Sequence, residues 1–301
     1  MAESALEYGV ALERFSTLRV GGTARELLRP SDEEVLSHYL QTRPPRDYPV
    51  EVLGRGSNTL IMPGVVQAPV VLMSRFSSGI EIDASKGLIT AEAGAALPEI
   101  ARRATDAGVG GLEFLAVIPG LLGGGVVMNC GIGGPEGPCI ADRLRTIEWL
   151  DAAGASHSDN TAALTVRYRS IALPKPGIVT SATLVGTPGR DPVELHAEIR
   201  HLKASRRARQ PRTRRTSGSV WLPVDGVPAG AVIDELGLRG YVVGRTSISN
   251  DHANWIVTRP GCQSDEVMQL LQEIEQRVLA RTGHRLEREL RVLPQAKRAD
   301  K

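Results

Sequence analysis

Residues 215–224 read RTSGSVWLPV, which sets one hydroxyl, Ser219, in a small-residue turn between an arginine-rich run and an apolar stretch. A serine hydroxyl does chemistry as a nucleophile or as a proton donor, and either role needs neighbours that hold the charge it leaves. The strained G-x-S-x-G elbow of acyl transfer is absent, because the run around Ser219 is Ser-Gly-Ser-Val. Two glycine-rich stretches form the other obvious constellation: LGRGSN at 53–58 and IPGLLGGGVVMN at 118–129. Glycine reaches positive φ and lets a ligand approach peptide N–H groups closely, and successive N–H groups in such turns make nests for a pyrophosphate. Neither stretch is a G-x-G-x-x-G opening a helix, and no G-x-x-x-x-G-K-[ST] is present, so both common nucleotide fingerprints are excluded. The pair points to one diphosphate-bearing ligand between them.

Other polar residues have a structural reading beside the chemical one. His252 in NDHANWIV has no second His or Cys at metal spacing, so it reads as a hydrogen-bonded structural histidine and no metal is expected. Glu287 and Glu289 in RLEREL lie two apart in a strand-like stretch, which would put both on one side with Arg288 opposite. Surface carboxylates are the ordinary reading of such a pair. The run RRARQPRTRR at 206–215 is either a solvated helix face or a strip that reaches an anion.

These groups must be positioned by a mixed set of elements. VEVLGRGSNTLI at 50–61 reads as strand, loop, strand, and Ser31 can cap a helix starting near Asp32. Short strands are expected at 70–73, 79–82 and 87–91, a helix at 97–107 ended by Gly108, Gly110 and Gly111, and strands at 146–150 and 177–185. A basic helix at 191–209, a helix at 229–236, a strand within 248–257 and a helix at 265–280 stopped by Gly283 follow. The apolar stretch GLEFLAVIPGLLGGGVVMN is long enough for a membrane but broken by Pro119 and several glycines, so it reads as buried loop and strand.

At 301 residues, 42% hydrophobic and 23% charged, the chain suits two or three globular domains. Aromatic residues are only 4%, which argues against a stacking surface for single-stranded nucleic acid. Thirty-six Lys and Arg against 34 Asp and Glu leave +2, too little field to recruit DNA or an anionic membrane. Cys130, Cys139 and Cys262 form no C-x-x-C pair, and MAESALEYGVALERF has no apolar signal core, so a cytoplasmic protein is expected, with a monomer as the expected state.

Taken in order, FSTLRVGGTA (15–24), LGRGSNTLI (53–61), GLEFLAVIPGLLGGGVVMNCG (111–131), AVIDELGLRGYVVG (231–244), SNDHANWIV (249–257) and LEREL (286–290) resemble the flavoprotein family of UDP-N-acetylenolpyruvoylglucosamine reductases over nearly the whole chain. The HANWIV form resembles the branch without an extra tyrosine-bearing loop. The resemblance implies an α+β fold: two FAD-binding subdomains, residues 1–70 and 71–187, and a C-terminal substrate domain, 188–301. It implies FAD held by Gly54, Arg55, Gly56, Ser57, Asn58 and Thr59 in one loop and by Pro119, Gly120, Gly123, Gly124 and Asn129 in the other. It further implies NADPH as co-substrate and a nucleotide-sugar enolpyruvyl ether as the molecule reduced, with neither nucleic acid nor membrane as a partner.

In that family a serine after glycine donates the proton, and Ser219 holds that position; Arg169 of VRYRS matches the arginine that polarises the substrate carboxylate, with Arg167 the alternative, and Glu289 matches the carboxylate. The sequence departs from the family after Trp221, where Leu222, Pro223 and Val224 stand in place of Lys-Asn-Pro, and GIGGPEGPCIAD (131–142) replaces a shorter turn. Either the 206–215 arginines take over phosphate binding, or the substrate is a different unsaturated molecule. A flavin-binding protein without catalysis is disfavoured by the retention of Ser219, Arg169 and Glu289 together.

Overall fold

The computed structural model describes residues 5–43, 50–213 and 215–294. The chain forms two units and passes between them several times: one holds residues 1–6, 28–54 and 71–206, the other 7–27, 55–70 and 207–301. Among the described residues no helix is long and apolar enough to cross a membrane.

The first unit is built on a five-stranded antiparallel sheet in the order Ser156–Asn160, Leu144–Asp151, Gly177–Val185, Leu88–Glu92, Ile80–Asp83. Helix Leu97–Asp106 buries Leu97, Ile100, Ala101 and Ala104, the spacing of one helical face, against Ile89, Ile147 and Trp149. Pro98 sits in its first turn, where a missing N–H costs nothing. Helix Glu33–Thr42 is capped by Asp32, not by Ser31: Val35 N–H donates to Asp32 Oδ1 at 2.9 Å, and the Ser31 hydroxyl instead orients that carboxylate at 2.8 Å. Both bonds hold Asp32 below the usual carboxylate range. The apolar 111–129 stretch becomes a 3-10 turn, Glu113–Val117, and a short helix, Leu122–Val127, where loop and strand were expected. Gly123 and Gly125 allow it, since a Cβ there would stand 3.1 Å from Ala93 Cβ and 3.1 Å from the Leu97 methyls.

Along one end of this sheet Asp151 gathers four donors: Lys175 Nζ at 2.8 Å, His157 Nε2 at 3.0 Å, and the N–H groups of Ala153 and Ala155 at 2.9 and 3.0 Å. Lys175 first, then His157, hold its carboxyl well below the usual range.

The second unit carries a four-stranded antiparallel sheet, Thr216–Ser219, Trp255–Thr258, Thr246–Ile248, Val242–Val243. Helix Ser264–Thr282 presents Val267, Leu270, Leu271, Ile274 and Val278 to Ile248 and Ile256, and ends on Gly283 in the left-handed region at φ 75°. The expected single strand at 248–257 is two strands, because residues 249–254 turn back on themselves: Ser249 N–H bonds Trp255 O at 2.8 Å and Asp251 N–H bonds Ser249 Oγ at 3.1 Å. The buried Asn254 leaves this turn as a clamp. Its Oδ1 accepts from Val220 N at 3.2 Å and Trp221 N at 2.9 Å, and its Nδ2 donates to Trp221 O at 2.9 Å.

Two predictions follow the two units. A carboxyl whose pKa is depressed in the fold stabilises it fully above the unfolded value of about 3.9 and stops doing so as pH falls through the folded value. The melting-temperature gap between wild type and Asp151→Asn should therefore persist through neutral and mildly acidic pH and close only below about pH 4. In urea denaturation, Asn254→Ala should lose roughly 1–3 kcal/mol for each of the Trp221 N–H and C=O groups left unpaired.

Candidate active site

The first glycine loop joins strand Glu51–Leu53 to strand Thr59–Ile61. Gly54 belongs to the first unit, and Arg55, Gly56, Ser57, Asn58 and Thr59 to the second. Gly56 is in the left-handed region at φ 59°, and a Cβ there would lie 2.2 Å from the Phe15 carbonyl oxygen, so no other residue fits. The 15–24 segment is what shapes the loop. Thr17 N–H donates to Gly56 O at 3.1 Å, Ser16 Oγ to Thr59 O at 3.2 Å, and the Thr17 hydroxyl to Thr216 O at 2.6 Å, fastening the loop to the strand that ends in Ser219.

Within the second unit three of the expected site residues meet through the backbone. Val220 O accepts from Glu289 N at 2.8 Å and from Leu290 N at 3.1 Å, and Asn58 Nδ2 donates to Glu289 O at 3.1 Å. Trp221 bridges Arg288, and Leu222 N–H reaches Glu287 O at 2.8 Å. Glu275, on the long helix, takes Trp221 Nε1 at 3.0 Å and the Arg288 fork at 2.5 and 2.7 Å. Regular strand begins only at Arg291, so the expected same-side pair is not formed as such: Glu287 is exposed and Glu289 half-buried. Gly218 takes φ 76°, which bulges the strand between Thr216 and Ser219 and leaves Ser219 opposite Trp255. Ser217 is 3% exposed, and its Oγ has no hydrogen-bond partner among the described residues.

His252 keeps the structural role expected of it. Its Nδ1 accepts from Asn254 N at 3.2 Å; burial, with Arg239 and Arg209 nearby, pushes its pKa down.

The first unit holds the second glycine loop. Leu122 and Gly123 spend their N–H groups on Ala95 O and Ala93 O, at 2.8 and 3.1 Å, while Gly124 faces open space with nothing within 4 Å of a Cβ position. Pro119 is exposed, and Gly120 is buried with its carbonyl accepting from Leu97 N at 3.2 Å. Asn129, 3% exposed, engages protein at both ends of its amide: Oδ1 accepts from Ala141 N at 3.1 Å and Nδ2 donates to Arg167 O at 3.0 Å. It thereby holds the turn between strands Thr165–Arg167 and Ser170–Ala172, in which Arg169 takes φ 55°. The Arg169 guanidinium lies 4.6 Å from the Tyr168 ring centroid and donates to Gly131 O at 3.0 Å and Asn129 O at 3.4 Å; Arg167 points to solvent. Residues 131–142 loop back to the chain before them through Ile140 N to Cys130 O at 2.8 Å and so return Ala141 to Asn129. Burial pushes the Cys130 thiol up to about 12, which removes it as a nucleophile.

The basic run divides. Arg206 is desolvated, its pKa lowered by burial, and donates to Val117 O beside the second loop; Arg212 and Arg215 are farther along, and Arg214 lies outside the described residues.

Both loops fit a flavin nucleotide. The Cβ position of Gly54 has only Leu121 Cδ1 near it, at 3.8 Å, Gly124 is open, and Gly56 holds a bend only glycine allows, so each loop offers bare backbone to a flat, diphosphate-bearing molecule. Thr17, Asn254 and Glu275 escaped the sequence reading. Only Thr17 and Asn254 lay in segments that stood out; Glu275 is one of many polar residues on its helix.

The model of an FAD binding domain matches residues 24–158, and that of the UDP-N-acetylenolpyruvoylglucosamine reductase C-terminal domain matches 210–293. The UDP-N-acetylenolpyruvoylglucosamine reductase of Azorhizobium caulinodans is 37% identical over 91% of this chain and 86% of that protein; that of Moorella thermoacetica is 35% identical over 93% and 91%. The crystal structure of the Thermus caldophilus enzyme superposes with a TM-score of 0.79 at 33% identity, covering 96% of this chain and 99% of that one. With glycine loops that suit FAD and this likeness along almost its whole length, the chain belongs to the UDP-N-acetylenolpyruvoylglucosamine reductase family, the FAD-containing oxidoreductases of peptidoglycan precursor synthesis.

Proposed function

We propose that the protein uses NADPH to reduce the enolpyruvyl double bond of UDP-N-acetylglucosamine enolpyruvate to UDP-N-acetylmuramate, in the cytoplasm. The observation that carries this reading is the junction at Val220, whose carbonyl accepts from Glu289 while Asn58 of the first glycine loop donates to the Glu289 carbonyl. One set of hydrogen bonds thus ties a flavin loop, a candidate proton donor and a candidate carboxylate.

Gly54, Arg55, Gly56, Ser57, Asn58 and Thr59 from one loop, and Pro119, Gly120, Gly123 and Gly124 from the other, would hold FAD, with Asn129 bracing the second loop from inside the protein; the flavin would supply hydride chemistry between NADPH and the terminal methylene carbon. Ser219 gives its hydroxyl proton to the adjacent carbon, a task that requires the resulting alkoxide to be stabilised or reprotonated. Arg169 offers a planar fork to the substrate carboxylate and, with Glu289, counters the negative charge that builds toward the enolate. Arg169 is favoured over Arg167 because its guanidinium is fixed by the carbonyls of Asn129 and Gly131 while Arg167 is exposed. We read FAD-binding parts at 1–70 and 71–187 and a substrate part at 188–301; the family models on 24–158 and 210–293 are in keeping with an FAD-binding part followed by a C-terminal one, while the first FAD-binding part is shared between the two compact units.

A second reading, reduction of a different unsaturated substrate, is favoured by Leu222 and Pro223, which bring no polar side chain where the family pattern has Lys-Asn. Anaerobic half-reactions separate these. NADPH should bleach the flavin, and the enolpyruvyl nucleotide should restore its colour; bleaching without recovery favours the second reading. In stopped flow, Ser219→Ala should be reduced by NADPH at near wild-type rate and reoxidised by the nucleotide on the order of 10²–10⁴-fold more slowly. Equal loss in both half-reactions would remove Ser219 as the proton donor.

A further inference from the structure

Trp221 and Arg288 stand opposite each other in a single antiparallel bridge that belongs to none of the sheets. Strand Thr216–Ser219 ends before Trp221, and strand Arg291–Leu293 begins after Arg288. Around the bridge the backbone pairing consists of Leu222 N to Glu287 O at 2.8 Å and of Glu289 N and Leu290 N to Val220 O at 2.8 and 3.1 Å. Even a whole two-stranded hairpin is marginal in water, so a pairing this short needs support from elsewhere. Yet it joins the segment of Ser219 to that of Glu289.

Directly opposed side chains share a face, and here both meet one carboxylate. Glu275 Oε1 accepts from the Trp221 indole at 3.0 Å and from Arg288 Nε at 2.5 Å, while Oε2 accepts from Arg288 Nη2 at 2.7 Å. The remaining guanidinium nitrogen, Nη1, donates to Met268 Sδ at 3.2 Å. Met268 and Glu275 lie about two turns apart along one face of helix Ser264–Thr282, so each nitrogen of Arg288 is bonded to that helix. The helix is itself anchored, with Leu270, Leu271, Ile274 and Val278 fully buried. A fixed element therefore grips both members of the bridge.

Stability alone does not call for charges here. A partly desolvated ion pair adds little over apolar side chains of the same size. What apolar side chains cannot supply is direction, which a fork-to-carboxylate pair does. Direction matters where two reacting groups must meet one substrate, since a misplacement of about an ångström can cost on the order of 10²-fold in rate.

We propose that Glu275 is a positioning residue for the protonation step: through Trp221 and Arg288 it holds the main chain bearing Ser219 against the main chain bearing Glu289. The assignment rests on the roles given to Ser219 and Glu289 above. It also gives Trp221 a use that depends on its indole N–H and not on its bulk.

The test uses the flavin-loaded enzyme with Trp221→Phe, Glu275→Gln, Arg288→Lys and the double variant Trp221→Phe/Glu275→Gln. Phenylalanine removes only the indole donor; glutamine turns an amide N–H toward the fork, and lysine keeps the charge without the fork. At saturating enolpyruvyl nucleotide, flavin reoxidation should slow about tenfold in Trp221→Phe and on the order of 10²-fold in Glu275→Gln and Arg288→Lys. Reduction by NADPH and KM for the nucleotide should stay within about twofold of wild type, and the double variant should be no slower than Glu275→Gln, because the indole acts only through that carboxylate. Amide hydrogen exchange at Glu289 and Leu290 should speed up in Glu275→Gln while Leu271 and Ile274 keep their protection. Wild-type reoxidation in both single variants, Trp221→Phe and Glu275→Gln, would overturn the proposal. So would equal slowing of both half-reactions, or protection lost evenly across the unit, either of which marks general destabilisation. If Glu275→Gln does not fold, Trp221→Phe, which keeps the core filled, decides by the same half-reaction split. If Ser219→Ala is reoxidised at the wild-type rate, the reading of the site fails instead, and exchange at Glu289 and Leu290 still decides whether Glu275 fastens the two segments.

Discussion

The carbonyl of Val220 is the acceptor on which the geometry of the second unit turns. A carbonyl has two lone pairs, and here both are used, by the N–H groups of Glu289 and Leu290. That single atom joins the residue after Ser219 to Glu289 itself, so backbone pairing sets where the main chain at the two residues lies. Catalytic groups must be held within a fraction of an ångström of their productive places, which backbone pairing does better than loops. The two partners are fixed in turn from behind. Asn254 locks Val220 and Trp221 from the sheet side, Asn58 holds the Glu289 carbonyl, and Thr17 ties Thr216 to the first glycine loop.

Glu275 adds a second fastening between the same two segments, and it gives Trp221 a meaning the family comparison alone does not. Its carboxylate takes the indole N–H of Trp221 and both nitrogens of the Arg288 fork. A fork-to-carboxylate pair is directional as well as strong, and the two side chains keep only about a quarter of their surface, 25% and 23%, so desolvation offsets part of its attraction and its main contribution is to fix geometry. Phenylalanine at 221 would fill the same core space without supplying the donor. The Ser219 and Glu289 segments are thus coupled by side-chain bonds to Glu275 as well as by backbone pairing.

Much of this was legible in the sequence, and the rest was not, for reasons particular to each residue. The helices at 97–106 and 264–282 announced themselves by apolar spacing and by Pro98 and Gly283 at their ends. Strand Gly177–Val185 matched its apolar run at both ends. Ser31 and Asp32 are both good caps, and only the direction of the Ser31 hydroxyl decides between them. LLGGGVV reads as loop because three glycines disfavour helix on propensity; the close approach of Ala93 and Leu97, which makes a Cβ at Gly123 or Gly125 a tight fit, is a tertiary fact. Glu287 and Glu289 looked like alternate residues of a strand, yet their segment is shaped by the single bridge from Trp221 to Arg288. Asn254 lay in a segment that stood out and Glu275 did not, but neither residue showed its role, since an amide or a carboxylate becomes a clamp only when the chain brings donors to it.

Asn129 shows how far this logic reaches in the first unit. An asparagine at the end of a glycine-rich loop invites the inference that its amide meets the ligand. Its amide oxygen and nitrogen are instead engaged with Ala141 and Arg167, and its φ of 39° is one that asparagine tolerates better than most side chains. The residue therefore links the loop to the turn bearing Arg169, whose guanidinium returns to the carbonyls of Asn129 and Gly131. The loop and the turn are thus fastened to each other by bonds running both ways, from Asn129 Nδ2 to Arg167 O and from the Arg169 guanidinium to Asn129 O and Gly131 O. Residues 131–142 are part of the same circuit, since they supply both Gly131 O to the arginine and Ala141 N to the asparagine. The chain between those two contacts folds back on itself, with Ile132 N bonded to Pro138 O at 3.1 Å and Gly131 bridged to Cys139.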